Sequence, residues 1–434
     1  MKQEVLQVNV RNPLIKVVLI LLLLLACVWS YFVVRWYLGN TVAEYFNPAE
    51  GSFDAGNLAV SMAPNDPLAH WRAGEVLQKS LPMDQQGPAI AEYQKAAALS
   101  PNDYRYWMSL GIAYERAGDV SKGEEALKRA IALAPSYSYP HWYLGNLLLR
   151  AARYDEAFAE LRIAGKADAE LEGQLFGLAW AVHSDDLAAM TKAVGDNPAD
   201  RALFALNLLG AKHFEDGLQV WDGLSNDEKK ANQKTAQQMI DTLKANSRFH
   251  DALKVWNEST PDDYRAEMDQ VFDGGFEKPI PYGPEIVFGW QVNNNQQVQI
   301  SIDPEKAQGG HRSLKLVYEA RTNLETVSVF QLVTVQPATD YDLEFYISTK
   351  EMVTGSAPRV DILDTATNGV IASSTSAPIG TALWTKITTP FKTGEKSEGI
   401  LLRVIRPSCA TKETPVCPIF GTVWYDDFSI KRRK

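Results

Sequence analysis

Residues able to carry out chemistry are few in this chain of 434 residues, and they are scattered. Hydrolysis of a glycosidic bond needs two carboxyl groups placed on either side of it. Asp361, Asp364, Asp426 and Asp427 supply carboxyl groups, but no surrounding pattern marks an acid and its partner. The six histidines fall on separate segments, with no Ser-His-Asp order and no glycine-rich phosphate loop. Cys409 and Cys417 lie close together with no histidine beside them, so a zinc site lacks ligands. In an oxidising compartment such a pair closes a short loop as a disulfide; two unlinked buried thiols are the alternative. His70, Trp71, His141 and Trp142 look most like ligand contacts, yet their positions suit packing between helices better. The expectation is a protein that is not an enzyme. A net charge of -10 argues against nucleic-acid binding, which needs a basic face. The dense basic run, Lys431 to Lys434, reads as a solvated chain end.

The elements that carry these residues begin with an apolar run. From Val17 to Val34 no residue is charged, and residues 14–38 are long enough to cross a hydrocarbon core of about 30 Å as a helix. Trp29, Tyr31, Trp36 and Tyr37 cluster towards one end, as an interfacial aromatic belt does. Lys2, Arg11 and Lys16 precede the run, and Glu44, Glu50 and Asp54 follow it. The positive-inside rule then puts residues 1–13 in the cytoplasm as a tail and everything past about residue 40 outside. The run continues beyond any small-residue cleavage site, which favours an uncleaved anchor over a signal peptide. Leu24-Leu25-Ala26-Cys27 resembles a bacterial lipobox, but the residues after Cys27 stay apolar where a lipoprotein turns polar. A linker is expected over residues 39–54.

A repeat follows. Gly111 and Gly145 are 34 residues apart, as are Pro101 and Pro135. His70-Trp71-Arg72-Ala73-Gly74 aligns with the segments ending at Gly111 and Gly145, with three extra residues between Leu81 and Gly87. Between Asp103 and Pro135 the spacing gives two amphipathic helices with a break at Ala117-Gly118-Asp119. Trp107, Leu110, Gly111, Tyr114, Leu127, Ala130 and Pro135, with Gly145 in the next unit, resemble the signature of tetratricopeptide repeats. The resemblance covers residues 55–171 and implies paired helices stacked into a solenoid that binds protein partners. Small residues at Gly111 and Gly145 are expected to let the two helices of a repeat approach closely. Helical texture without the signature continues over 172–258, read as degenerate repeats, and a second linker is expected at 259–269.

From residue 270 to 434 the period shifts from 3.6 to 2. Val298, Ile300 and Ile302 alternate with polar residues, as do Leu343, Phe345 and Ile347. Such strands predict an antiparallel sandwich. Asp273-Gly274-Gly275-Phe276-Glu277, Phe288-Gly289-Trp290 and Val423-Trp424-Tyr425-Asp426-Asp427-Phe428 follow in an order similar to the galactose-binding-like jelly roll of family four and nine carbohydrate-binding modules. That resemblance implies a structural calcium held by Glu277 with Asp426 or Asp427, hard oxygen donors of the kind calcium takes. Hydrogen bonding of these carboxylates to neighbouring loops is the alternative. It also implies that Trp290, Trp384 and Trp424 pack the core. Tyr318, Phe330 and Tyr346 remain as candidate surface aromatics for sugar stacking, though no glycan-binding residue is assigned.

Together these readings predict a multidomain chain: a transmembrane helix, an all-α solenoid, then an all-β jelly roll. They imply a single-pass protein of a bacterial inner membrane with its folded domains in the periplasm or outside. The expected role is a non-catalytic scaffold for protein partners, with a polysaccharide as candidate ligand of the sandwich in surface polysaccharide assembly or export. A pure protein–protein scaffold and a divergent glycan hydrolase are the alternatives.

Overall fold

The computed structural model describes residues 13–45, 53–80, 82, 86–184, 186–280, 286–293, 297–321, 326–409, 411 and 416–433. Residues 1–12 of the expected tail and 46–52 of the expected linker lie outside them. The chain divides into two compact units, Met1–Gly195 and Asp196–Lys434.

The first unit is helical. α1 (Pro13–Tyr45) and α2 (Phe53–Met62) lead into α3 (Pro67–Ser80) and α4 (Gly87–Leu99). Then come α5 (Tyr104–Arg116), α6 (Val120–Leu133), α7 (Ser138–Arg150), α8 (Tyr154–Ala167), α9 (Ala169–His183) and α10 (Leu187–Val194). Among the described residues, α1 is the one helix long and apolar enough to cross a membrane. It runs on to Tyr45 and α2 begins at Phe53, so much of the stretch expected to be a linker is helix.

Local chemistry sets the helix ends. The Asp103 carboxylate accepts from Arg105 N at 3.0 Å and that of Asp119 from Lys122 N at 3.1 Å, satisfying N–H groups that lack an intrahelical partner. Between α5 and α6, Gly118 adopts φ +83°, open to glycine at little cost. Packing within a repeat depends on the absence of a side chain. A Cβ on Gly111 would stand 2.6 Å from Leu127 Cγ, and one on Gly145 would stand 2.6 Å from Leu161 Cγ. Leu127 and Leu161 are fully buried and fill that space.

A second contact ties each repeat to the turn before it. His70 donates from Nε2 to the Pro64 carbonyl at 2.9 Å, and its Nδ1 lies 2.5 Å from Glu92 Oε2. His141 does the same with Pro135 O at 3.1 Å and Glu160 Oε2 at 2.6 Å. A carbonyl only accepts, so each ring donates from Nε2 to the turn carbonyl and sets Nδ1 against the carboxylate. In the repeat between them the position belongs to Trp107, whose indole N–H donates to Pro101 O at 3.0 Å. The glutamate is replaced there by the small, buried Ala126, which leaves room for the larger ring. The turn carbonyl is therefore capped in all three repeats by one of two residue pairs, His with Glu or Trp with Ala.

The second unit joins five helices to the sandwich: α11 (Pro198–Gly210), α12 (Phe214–Asp222), α13 (Asn226–Ala231), α14 (Gln233–Ala245) and α15 (Phe249–Ser259). The expected boundary near residue 258 is thus displaced, because α15 is bonded to the strands that follow. His250 N donates to Glu398 Oε2 at 3.1 Å, His250 Nε2 to Val335 O at 2.8 Å, and Phe249 lies against Gly399. The expected linker at 259–269 is pinned as well. Trp256 Nε1 donates to Tyr264 O, Asn257 exchanges two hydrogen bonds with Ala266, and Asp269 accepts from the Tyr341 hydroxyl.

The strands are β1 (Gln291–Val292), β2 (Val298–Asp303), β3 (Ser313–Ala320), β4 (Thr326–Thr334), β5 (Asp340–Thr354), β6 (Arg359–Asp364), β7 (Val370–Ser373), β8 (Gly380–Lys392), β9 (Gly399–Arg406) and β10 (Ile419–Arg432). They form two antiparallel five-stranded sheets, ordered β1-β4-β9-β6-β7 and β2-β3-β10-β5-β8. Leu314, Leu316, Leu343, Phe345, Ile400, Leu402 and Val404 face one another across the core, as the alternation requires. The basic run at the end is not a frayed tail: Lys431 pairs with Glu344, Arg432 with Asp269 and Arg433 with Asp342.

The repeat packing gives a first prediction. Gly111→Ala overpacks the α5–α6 contact and lowers stability by about 1–3 kcal/mol. Gly173→Ala, at an open site in α9, raises it by about 0.5–1 kcal/mol. Chemical denaturation followed by circular dichroism checks both. The capped turns give a second. Burial alone would raise the Glu92 carboxyl, but His70 and Lys95 outweigh it and hold the group below its ordinary value of 4.5. That contribution is present above the ordinary value and is lost as pH falls through the lowered one. Glu92→Gln is expected to lower the melting temperature at neutral pH and to flatten this part of its fall on acidification. An unchanged pH profile would show that the pair contributes nothing.

Candidate functional site

An open concavity in the first unit lies across α5, α7 and α9, with a volume of about 830 Å³. Ile112, Trp142, Tyr143 and Leu178 give it apolar walls, and Arg116 and Asn146 add polar groups. Trp142 and Asn146 sit one turn apart on α7, and Asn146 Nδ2 donates back to Trp142 O at 2.9 Å, which fixes the amide. Arg150 on the same helix pairs with Glu115 of α5, while Arg116 is exposed. The arrangement suits an extended segment with an apolar side chain near a hydrogen-bonding or anionic group.

None of the signature residues lines this groove. Leu110, Gly111, Leu127, Ala130 and Gly145 are buried between helices, and Pro135 is exposed in its turn. Trp107 is spent on Pro101 O, and the Tyr114 hydroxyl accepts from Gln94 Nε2 at 2.6 Å. Of the four residues expected to pack, His70 and His141 are buried, and Trp71 donates to Ser109 Oγ at 2.8 Å. Trp142 departs from that reading: it is partly exposed and walls the groove. Its position, one residue after a buried histidine on α7, rotates it about 100° away from the packed face, a signal available in the sequence.

In the sandwich, Glu277, Asp426 and Asp427 gather around one loop. Glu277 Oε1 accepts from His311 N at 2.6 Å and from Arg312 N at 3.2 Å. Asp426 Oδ2 accepts from Gln308 N at 2.6 Å and from Gly309 N at 3.1 Å. Asp427, at φ +53°, places its carboxylate against Gly309. Burial, with the Asp427 charge adding to it, pushes the Asp426 carboxyl up to about 6. Asp273 accepts from Glu277 N and Lys278 N and orients the segment that carries Glu277. Among the described residues no three His, Cys, Asp or Glu side chains converge as a metal centre. The three carboxylates are hard oxygen donors around one loop, the chemistry calcium takes, but the loop's N–H groups hold the oxygens described above.

The other carboxylates are engaged too. Asp361 is buried and bonded to Arg359 and Ser373, with Arg403 nearby; burial would raise its carboxyl, but these partners hold it below the ordinary range. Asp364 accepts from Ala366 N and Gly394 N. Among the aromatics, Trp290 lies in the core, stacked on Phe276 at 5.0 Å. Trp384 is partly exposed, and Trp424, though buried, stands outside the sandwich's central cluster. They lie under Lys306, whose ammonium stands 3.5 Å from the Trp424 ring centre and 5.6 Å from that of Trp384. Tyr318 is buried in the core, whereas Phe330 and Tyr346 are partly exposed. Cys409 and Cys417 are joined by a disulfide, and Cys27 is exposed on α1.

No family model matches the chain. A 78-residue stretch is 35% identical to the E3 ubiquitin-protein ligase CHIP of Arabidopsis thaliana, covering 18% of this chain and 28% of that one. A 135-residue stretch is 27% identical to the tetratricopeptide repeat and J domain-containing co-chaperone DNJ1 of Fusarium oxysporum, covering 30% and 26%. The chain thus spans little more than a quarter of the length of either curated relative. Among solved structures, MamA from Desulfovibrio magneticus is 24% identical over 31% of this chain and 75% of its own, with a TM-score of 0.27. A CBM4 structure is 10% identical over 38% of this chain and 99% of its own, with a TM-score of 0.28. The chain is a run of paired helices, similar over part of their length to tetratricopeptide repeats, followed by an antiparallel β-sandwich.

Proposed function

We propose that this protein is a non-catalytic scaffold, anchored by α1 in a bacterial inner membrane, that holds a segment of a protein partner in the groove across α5, α7 and α9. The observation that carries this reading is the groove itself, open and walled by Trp142. The apolar length of α1 supports the anchor, and the charges flanking it support folded units outside the cytoplasm. Non-catalysis is supported by Asp361, Asp364 and Asp426, each tied to a cation, a hydroxyl or a loop N–H. The sandwich is assigned glycan as its candidate ligand, in surface polysaccharide assembly or export, with Phe330 and Tyr346 as partly exposed aromatics. A calcium ion at Glu277, Asp426 and Asp427 is proposed as structural, bracing the loop that the carboxylates already hold.

Three outcomes test these readings. A photo-crosslinker at Gln174, in intact membranes, is expected to capture one dominant protein. Trp142→Ala should then weaken capture by about 2 kcal/mol, roughly 30-fold, as loss of a buried aromatic anchor does; equal capture by the variant removes the groove from consideration. Chelation is expected to lower the melting temperature of the sandwich, and added calcium to restore it. An unchanged temperature would mean that the N–H groups hold the loop unaided. The full chain on a glycan array separates glycan binding from a purely structural sandwich.

A further inference from the structure

Helix α1 is longer than a bilayer needs. At about 1.5 Å per residue, its 33 residues reach roughly 50 Å, against a hydrocarbon core of about 30 Å. Its environment changes along its length. Residues 16–34 are exposed throughout, whereas Gly39 and Ala43 are buried. A Cβ on Gly39 would stand 2.8 Å from Ala63 Cβ, and Ala43 clusters with Ala59, Ala63 and Ala69. Asn40 Nδ2 donates to Asp66 Oδ2 at 2.9 Å, and the other oxygen of Asp66 accepts from Leu68 N at the start of α3. The end of α1 and the whole of α2 are therefore the first helical pair of the solenoid. The turn from α2 to α3, residues 63–66, sits level with Gly39 and Asn40, directly beyond the apolar run that ends at Leu38.

Successive helices of a solenoid alternate in direction, so every second turn returns to the same edge. The turns on the edge of residues 63–66 are those at 100–103 and 134–137. That edge carries Leu99, Tyr104, Tyr137 and Tyr139, with Tyr137 55% and Tyr139 52% exposed and the Tyr104 and Tyr137 rings 4.9 Å apart. The ion pair there, Asp103 with Arg105, is closed on itself. The opposite edge mixes Val120 and Tyr154, 41% and 43% exposed, with more ion pairs: Asp119 pairs with Lys122, and Arg153 with Glu124 and Glu156.

We propose that the edge formed by the turns at 63–66, 100–103 and 134–137 lies against the headgroup layer of the bilayer, with Tyr104, Tyr137 and Tyr139 as interfacial contacts. Tyrosine suits that layer because it offers an apolar ring and a polar tip. The proposal rests on α1 being the anchor. The contact is aromatic, not cationic, so it is insensitive to salt.

The test uses the full chain carrying Cys27→Ser, reconstituted in phosphatidylcholine vesicles containing a doxyl-labelled lipid. One environment-sensitive fluorophore is attached at Val28→Cys in the span, at Tyr137→Cys on the proposed edge, or at Tyr154→Cys on the opposite edge. The expected result is quenching at positions 28 and 137, in low and high salt alike, and none at 154. Quenching at 28 with 137 as bright as 154 overturns the proposal and leaves the anchor standing. No quenching at 28 overturns the anchor, and the proposal with it. Loss of quenching at 137 in high salt overturns the aromatic contact.

Discussion

Two helices of a repeat can touch closely only where one of them carries no side chain, and the first unit is built on that constraint. At Gly111 and Gly145 the backbone of the first helix receives a leucine from the second, and one added methyl group would collide with that leucine's branch point. Burial of Leu127 and Leu161 follows from this, and so does the direction in which neighbouring residues point. Once the glycine face is turned inward, the residues one and four positions away face the groove or the next repeat. The groove is a by-product of how tightly the pairs close.

The parts of this fold most legible in the sequence were those where one residue type satisfies one steric demand. The glycines, the buried leucines and the period-2 strands behave as their spacing predicts. Less legible was anything set by contacts distant in the chain. Helix α15 has the texture of the repeats before it, but His250 and Phe249 fasten it to residues far along the sandwich, and no local pattern announces that. Residues 39–45 fall in the expected linker, but Ala63 and Asp66 turn Gly39 and Asn40 into a helix–helix contact. The resemblance implied core positions for Trp384 and Trp424, yet a shared order of motifs does not say which face of a sheet is inside. A lysine covers them on the outer face.

The second unit shows how a sandwich and a helical run become one body. Its joint is made by hydrogen bonds from a helix to a loop carboxylate and to a strand-end carbonyl, and the chain between helix and sheet is held down by tryptophan, asparagine and aspartate side chains. Such a joint resists bending about the connecting segment, since movement there breaks several partly buried hydrogen bonds at once. The last helices act as a mount for the sandwich more than as a continuation of the repeats.

The exchange of His with Glu for Trp with Ala at the capped turns bears on how the repeats can be recombined. Each pair is a lock with its own key: a tryptophan opposite a glutamate lacks room, and a histidine opposite an alanine leaves a ring nitrogen without its carboxylate. Either half transplanted alone is mismatched, so the units are not interchangeable bricks, and deleting or shuffling them succeeds only if both residues of a pair travel together. The repeat that carries His70 also brings the Glu92 carboxyl, held below its ordinary value, which the middle repeat does without. A solenoid assembled wholly from copies of the middle repeat would have the same outline and a different response to acid.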